Sequence, residues 1–331
     1  MPEQMNRRTF IRESVLTSAA GAMGMQAIAG AASAQGAEKK PAAKSPPTPK
    51  DALPKGKICN MPVSRLLLGG NLLTHYTHSR DLKYVYRLTE HYNTKEKIFE
   101  TMALAEKHGI NAVVIHTATG VMDMLKEYRT KRGGKIKWIV CPTAGIDASM
   151  KAYSQQVKQI VDDGVDAIYL WGVRADQLVA QGKVDLVARA VDIAKKCGVP
   201  SGVGAHGLKP VVECEKKKVN ADFYIKTLHH HKYPSGPKPD ELKKPYSEDP
   251  GYWCKDPAAV IEFMKGVKKP WIAYKVMAAG AISPTSAFKY SFQNGADFIL
   301  AGMFDFEIRE DVQIAKGQLA RGVKRQRPWQ G

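Results

Sequence analysis

Cysteine is scarce in this chain and poorly placed for crosslinking. The 331 residues hold only 5, at Cys59, Cys141, Cys197, Cys214 and Cys254. An odd, widely spaced set excludes a disulfide framework. Acidic side chains are also short, with 32 Asp and Glu against 50 Lys and Arg, for a net charge of +18. No apolar run reaches the roughly 20 residues that a membrane-spanning helix needs, so no span is expected. No glycine-rich dinucleotide fingerprint follows the first strand, since Gly69-Gly70-Asn71 is too short. The basic excess sits in scattered pairs, such as Lys131-Arg132, Lys243-Lys244 and Lys268-Lys269, without an arginine–aromatic stripe. That pattern argues against a nucleic-acid partner and leaves a small-molecule substrate as the expected one.

What is present begins with a three-part leader. Residues 6–12 read Asn-Arg-Arg-Thr-Phe-Ile-Arg, a Gly/Ala-rich apolar stretch runs from Val15 to Ala32, and Ala32-Ser33-Ala34 offers a small-residue cleavage site. The pattern resembles a twin-arginine export signal, which implies a periplasmic or otherwise exported protein. Residues 35–58, rich in Pro, Lys and Ala, bury little apolar surface and read as a linker. The organisation expected is therefore a signal over 1–34, a linker over 35–58, one catalytic-type domain over 59–318 and a basic C-terminal tail over 319–331.

With hydrophobic residues at 44%, that domain can build a core of ordinary size. Short apolar runs alternate with amphipathic segments from Val63 onward. Strands are predicted at 65–69, 111–116, 137–141, 166–171, 200–205, 221–228, 270–276 and 297–302. Most are continuously apolar, as parallel strands covered on both faces must be. Gly109, Gly164, Gly198 and Gly295 each close a helix just before a strand. Eight such units predict an α/β fold, a (β/α)8 TIM barrel. Asp166, Asp222 and Asp297 precede strands four, six and eight in matching positions at the stability end, and read as structural.

Several segments resemble the aldo/keto reductase superfamily. They are Val63 through Gly70, His108 through Ala118, Gly182 through Gly204, and Gly302 through Glu310. The resemblance implies the barrel and, as one reading, an NADP-dependent oxidoreductase. The family's catalytic positions are occupied differently. His116 stands for its Asp, Cys141-Pro142 for its Lys, Trp171-Gly172 for its His, and Ala205-His206 for its Ser-Asn pair; its Tyr has no assignable counterpart. NADP is accordingly not the expected cofactor.

Active sites of such barrels lie at the C-terminal strand ends. His116, His206, Lys226 and Lys275 fall there and are the candidate catalytic residues. Asn71, His75, Arg174, Tyr252 and Trp253 are the candidate substrate-binding residues. Neutral imidazole is the commonest catalytic metal ligand, so His116, His206, His229 and His231 could hold a divalent metal such as zinc. Lys226 and Lys275 lie inside apolar strands. Ala221-Asp222-Phe223 with Ile225-Lys226-Thr227 resembles the Schiff-base strand of deoxyribose-phosphate aldolase. Cys141 reads as a small buried residue. The long segment from His229 to Lys255, with Tyr233, Tyr246, Tyr252 and Trp253, should cover the mouth, faced by residues 72–92.

Three functions remain open at this point. The leading one is lyase, isomerase or hydrolase chemistry on a small polar, sugar-derived or carboxylated substrate, using His and Lys groups with metal assistance. The alternatives are the NADP-dependent oxidoreductase and a non-catalytic small-molecule-binding barrel. One outcome follows from the leader itself. Replacing Arg7 and Arg8 by Lys should leave the precursor uncleaved in the cytoplasm; normal export in cell fractions would refute the twin-arginine reading.

Overall fold

The computed structural model describes residues 52–243 and 253–331. The expected signal and most of the linker lie outside these residues. The chain enters through an antiparallel hairpin, β1 (Lys55–Ile58) and β2 (Met61–Ser64). Lys55–Ile58, expected as linker, is thus a strand. Cys59 makes the turn in the left-handed region, with φ 52°.

Eight strands then close a parallel barrel: β3 (Leu66–Gly69), β4 (Ala112–His116), β5 (Lys137–Cys141), β6 (Ala167–Leu170), β7 (Ser201–Ala205), β8 (Phe223–Thr227), β9 (Trp271–Tyr274) and β10 (Phe298–Ala301). The outer layer comprises α1 (Tyr84–Tyr92), α2 (Lys95–Lys107), α3 (Val121–Lys131), α4 (Lys151–Asp162), α5 (Gly172–Ala180), α6 (Val184–Lys196), α7 (Lys209–Lys216), α8 (Pro257–Gly266), α9 (Pro284–Gln293) and α10 (Asp305–Ala320).

Side chains alternate between two cores, as the period of a strand requires. Leu67, Ile139, Phe223, Ile225, Ile272 and Phe298 fill the barrel, and Ile58 and Val63 of the hairpin join them from the N-terminal end. Leu68, Val140, Tyr224 and Trp271 point outward to the helices. Glycine is required on β7, where a β-carbon at Gly202 would sit 2.5 Å from the Phe223 ring.

The strands are bridged in pairs by one repeated device at the N-terminal end. Asp166 donates its backbone N–H to Trp138 O and accepts Trp138 N–H at its carboxylate, at 3.0 and 2.8 Å. Asp222 does the same with Ser201, at 2.7 and 2.8 Å. Asp297 does so with Trp271, at 2.8 and 2.9 Å. Asn111 and Ser64 form a variant, with Asn111 Oδ1 accepting Ser64 N–H and Ser64 Oγ accepting Asn111 N–H.

Asp297 also gathers the residues after α10. Arg327 donates to its Oδ2 at 2.5 Å, Arg325 to Oδ1 at 3.3 Å, and Gln330 N–H to Oδ1 at 2.9 Å. Trp329 lies between the Arg65 and Arg325 guanidiniums, 4.0 and 3.4 Å from its ring centre. The segment read as a basic tail is therefore packed onto the barrel floor. Removing one partner of a buried ion pair typically costs about 3–5 kcal/mol. Asp297→Ala should lose at least that much in urea unfolding, because it strands Arg327, which is 1% exposed. A loss below about 1 kcal/mol would contradict this account.

Candidate active site at the barrel mouth

The C-terminal ends of the strands enclose a cavity of about 1060 Å³. Its wall packs closely where glycines end or follow the strands. Gly69 and Gly70 follow Leu68 on β3, and a β-carbon on Gly70 would lie 2.5 Å from Ile115. Gly172 makes room for a hydroxyl: a β-carbon there would lie 3.0 Å from Tyr274 Oη. His116, Cys141, Tyr169, His206, Tyr274 and Lys275 all line this space, as do Asn71 and Trp253.

His206 follows β7 and is clamped from behind by Asp176 on α5. The Asp176 carboxylate accepts the backbone N–H of His206 at 2.9 Å, that of Gly207 at 3.0 Å and the ring Nδ1–H at 3.0 Å. Burial outweighs the carboxylate, and the ring's pKa falls to about 4. His206 is thus neutral, with Nδ1 protonated and Nε2 left as an acceptor. Its ring lies 5.5 Å from that of Tyr274. Burial also lowers the pKa of His116, and its enclosed Nε2 has no hydrogen-bond partner among the described residues. Tyr76 stands edge-on to its ring at 5.3 Å. Burial pushes the Cys141 thiol up to about 12, so it is not an available thiolate.

Lys275 leaves β9 in a left-handed conformation, with φ 56°. Its ammonium donates to His78 Nε2 at 2.6 Å and lies 4.8 Å from the Trp253 ring centre. Three loops therefore meet over the cavity, and Arg80 adds a bond to Ser235 at 2.7 Å.

Other expected site residues are elsewhere. Lys226 alternates with the inward Phe223 and Ile225, so it faces the helix layer. Its ammonium donates to His206 O at 2.8 Å and to Thr227 O and Oγ1 at 3.0 and 2.6 Å. It does not line the cavity, and the Schiff-base expectation is withdrawn. His229 is 1% exposed, and its Nε2 accepts N–H bonds from Trp253 and Cys254 at 3.0 and 3.1 Å. His231 Nε2–H donates to Cys254 O at 2.6 Å. These rings tie down the long loop. His75 bonds Asn93 O at 2.8 Å, and Arg174 bonds Gln177; neither lines the cavity. Tyr252 lies outside the described residues. Among the described residues no group of three or more His, Cys, Asp or Glu could hold a metal. The metal expectation for His116, His206, His229 and His231 fails because Asp176 holds His206 and backbone groups hold the other two.

The sequence reading missed Tyr274 and Asp176, whereas His78 falls in the 72–92 segment expected to face the long loop and does line the cavity. Tyr274 was within reach, since it is in phase with the inward Ile272. Asp176 carries no local signal, because only the packing of α5 against β7 brings it to His206.

No protein-family profile and no curated protein matches this chain. Solved structures do. Two structures from Pseudomonas aeruginosa, each assigned as an aldo-keto reductase, are each 17% identical. They align over 82% and 81% of this chain and 98% and 97% of their own, with TM-scores of 0.56 and 0.55. The holo form of an aldo-keto reductase from Bacillus halodurans is 11% identical over 81% of this chain and 95% of its own, at a TM-score of 0.50. At these identities the likeness shows the barrel. Reductase neighbours, with no metal-holding group among the described residues, overturn the expected metal-assisted lyase, isomerase or hydrolase. They likewise overturn the expectation that NADP is not the cofactor, and they favour the oxidoreductase alternative.

The neutral histidines give the fold a defined acid sensitivity. His206 and His229 are both held to about 4, against about 6.5 when unfolded. The unfolded chain therefore binds more protons between these values. The stability they contribute is present above pH 6.5 and is lost as pH falls to about 4, on the order of 3 kcal/mol per ring. Denaturant midpoints at pH 7.5 and 4.5 should show the decline. His206→Asn, whose amide can still donate to Asp176, should show less of it; an unchanged slope would contradict the assignment.

Proposed function

We propose that this barrel is a nicotinamide-dependent oxidoreductase acting on a small carbonyl or alcohol compound. One observation carries the reading: Tyr274 and the neutral His206 lie side by side on the floor of a mouth cavity of about 1060 Å³. Ligand pockets usually measure about 300–1,000 Å³, so this one has room for a cofactor and a substrate together.

The residues present fit such a cofactor at its ring end. Tyr274 offers an aromatic face there. The phosphate end would be held by the loop after β9. Ala278, Ala279 and Gly280 are all left-handed there, and the backbone amides of Met277, Ala279 and Gly280 make no hydrogen bond among the described residues. Loops after strands seven and eight are a frequent phosphate site in such barrels. The start of α10 is less suitable, because Glu307 already caps Phe304 N–H at 2.8 Å and Asp305 pairs with Lys97 at 3.2 Å.

When bound, the cofactor would supply or accept a hydride. The chain's own part is proton handling. Tyr274 Oη would give its proton to the developing alkoxide, and His206 would orient that hydroxyl through Nε2, itself fixed by Asp176. The export signal at residues 1–34 is part of the same proposal, since that route carries proteins already folded.

Titration with NADPH and NADP+, followed by turnover of a panel of aldehydes and ketones, tests the reading. Tyr274→Phe should lower kcat by about 10²–10⁴-fold while dinucleotide binding stays within about 2-fold. Failure of the wild-type protein to bind either dinucleotide would sink it.

A further inference from the structure

Large hydrophobic side chains are exposed on this protein in essentially one place. Trp329 apart, those exposed among the described residues lie in residues 76–92 or at Phe306. Three of them, Tyr84, Leu88 and Tyr92, are spaced by four along α1, which puts them on one face of the helix. Tyr84 is 63% exposed and Leu88 58%, so that face is turned to solvent. A surface helix ordinarily buries its apolar stripe, and here the only buried residue of α1 is Thr89. The stripe continues onto the start of α10. The Tyr92 ring lies 6.2 Å from that of Phe306, which is 68% exposed, and 5.7 Å from that of Phe304. The two phenylalanines are stacked at 5.3 Å. The patch also reaches the mouth, because Leu82, Val85 and Phe304 line the cavity. Single exposed apolar residues are ordinary, whereas a contiguous patch marks an interaction site.

A second stripe runs beside the first. Lys83, Arg87 and His91 repeat the four-residue spacing one position earlier, and all three are exposed. Neither Lys83 nor Arg87 has a carboxylate partner among the described residues; Lys83 reaches the Arg80 carbonyl at 3.4 Å and lies over the Tyr86 ring. Asp305, next to Phe306, is taken up by Tyr92 Oη at 2.7 Å and by Lys97 at 3.2 Å. Asp81 and Glu90 are the acidic residues of the 76–92 segment. An exposed apolar stripe edged by cations is the pattern of a helix that lies on an anionic lipid surface.

We propose that α1 and the start of α10 form a docking face for an anionic lipid surface, which turns the barrel mouth toward the headgroups. Leu88 and Phe306 enter the acyl boundary, Tyr84 and Tyr92 sit at headgroup level, and Lys83 and Arg87 meet lipid phosphates. No helix among the described residues is long and apolar enough to cross a membrane, so the attachment is peripheral. A second copy of the chain fits the face less well. A protein of net charge +18 repels its like and is drawn to a negative surface. The docking face does not rest on the oxidoreductase reading.

The test is co-sedimentation of the full chain with vesicles, either phosphatidylcholine alone or equal parts phosphatidylglycerol and phosphatidylcholine. The mixed vesicles should bind about 10-fold tighter or better. That preference should fade between about 0.1 and about 1 M salt, as the screening length shrinks from about 10 to about 3 Å. Leu88→Ser combined with Phe306→Ser should weaken binding by about 10-fold or more and leave Tm unchanged, since both side chains are exposed. Lys83→Gln and Arg87→Gln should each weaken it by about 5-fold. Lys216→Gln combined with Lys217→Gln removes as much charge from the end of α7, at the opposite end of the barrel, and should change binding by less than about 2-fold. Equal binding to the two vesicle types, binding that survives Leu88→Ser with Phe306→Ser, or as large a loss in the Lys216 and Lys217 variant would overturn the docking face. So would a dimer formed without lipid that Leu88→Ser with Phe306→Ser dissociates in sedimentation velocity, because the patch would then belong to a second copy.

Discussion

Four side chains at the start of alternate strands hold the barrel in register. Asp166, Asp222 and Asp297 each exchange hydrogen bonds with the first residues of the strand before them, and Asn111 does so with Ser64, two residues ahead of β3. A parallel strand cannot set its register by a tight turn, because a helix always intervenes. A carboxylate that both donates through its backbone and accepts through its side chain fixes the offset of two strands at once. The ends of those strands then arrive at the mouth at defined heights. The convergence of His116, His206 and Tyr274 on one floor is set from the opposite end of the molecule.

The cationic residues divide along the same axis. At the N-terminal end Arg65, Arg325 and Arg327 gather around one carboxylate, Asp297, and spend their remaining donors on carbonyl oxygens beside the Trp329 ring. At the mouth the Lys275 ammonium donates to the His78 imidazole and lies over the Trp253 indole. Lys226 is a third case, buried in the helix layer and bonded to neutral oxygens, one of them the carbonyl of His206. It steadies the floor from behind without facing the ligand.

The barrel was legible because its strands are continuous apolar runs between helix stops, and each of the eight lies within its expected span. The three aspartates were legible as structural because they share one position relative to their strands. The site was legible only in part. Position at a strand end tells that a residue is near the mouth, but alternation decides whether it faces inward; Phe223 and Ile225 take the inward phase and leave Lys226 outside. The histidine run failed as a ligand set because His229 and His231 are consumed by the backbone of Trp253 and Cys254, more than twenty residues further on. No local pattern records such a contact. Strand β1 was hidden by Lys55 and Lys57, which fall in the span expected as linker.

The pairing of strands by three carboxylates and one carboxamide has a mechanical corollary. β3–β4, β5–β6, β7–β8 and β9–β10 are riveted twice, by ladder bonds and by side chains. At the four junctions between these pairs the described residues show no such exchange at the strand starts, only the ladder and single side-chain bonds such as Trp271 Nε1–H to Lys226 O. A barrel built this way is a ring of four stiff staves, and its low-energy breathing should run along the seams between them. Slow amide exchange would then group the strands two by two, and a large polar molecule entering the mouth would meet a rim that yields at the seams rather than within a stave.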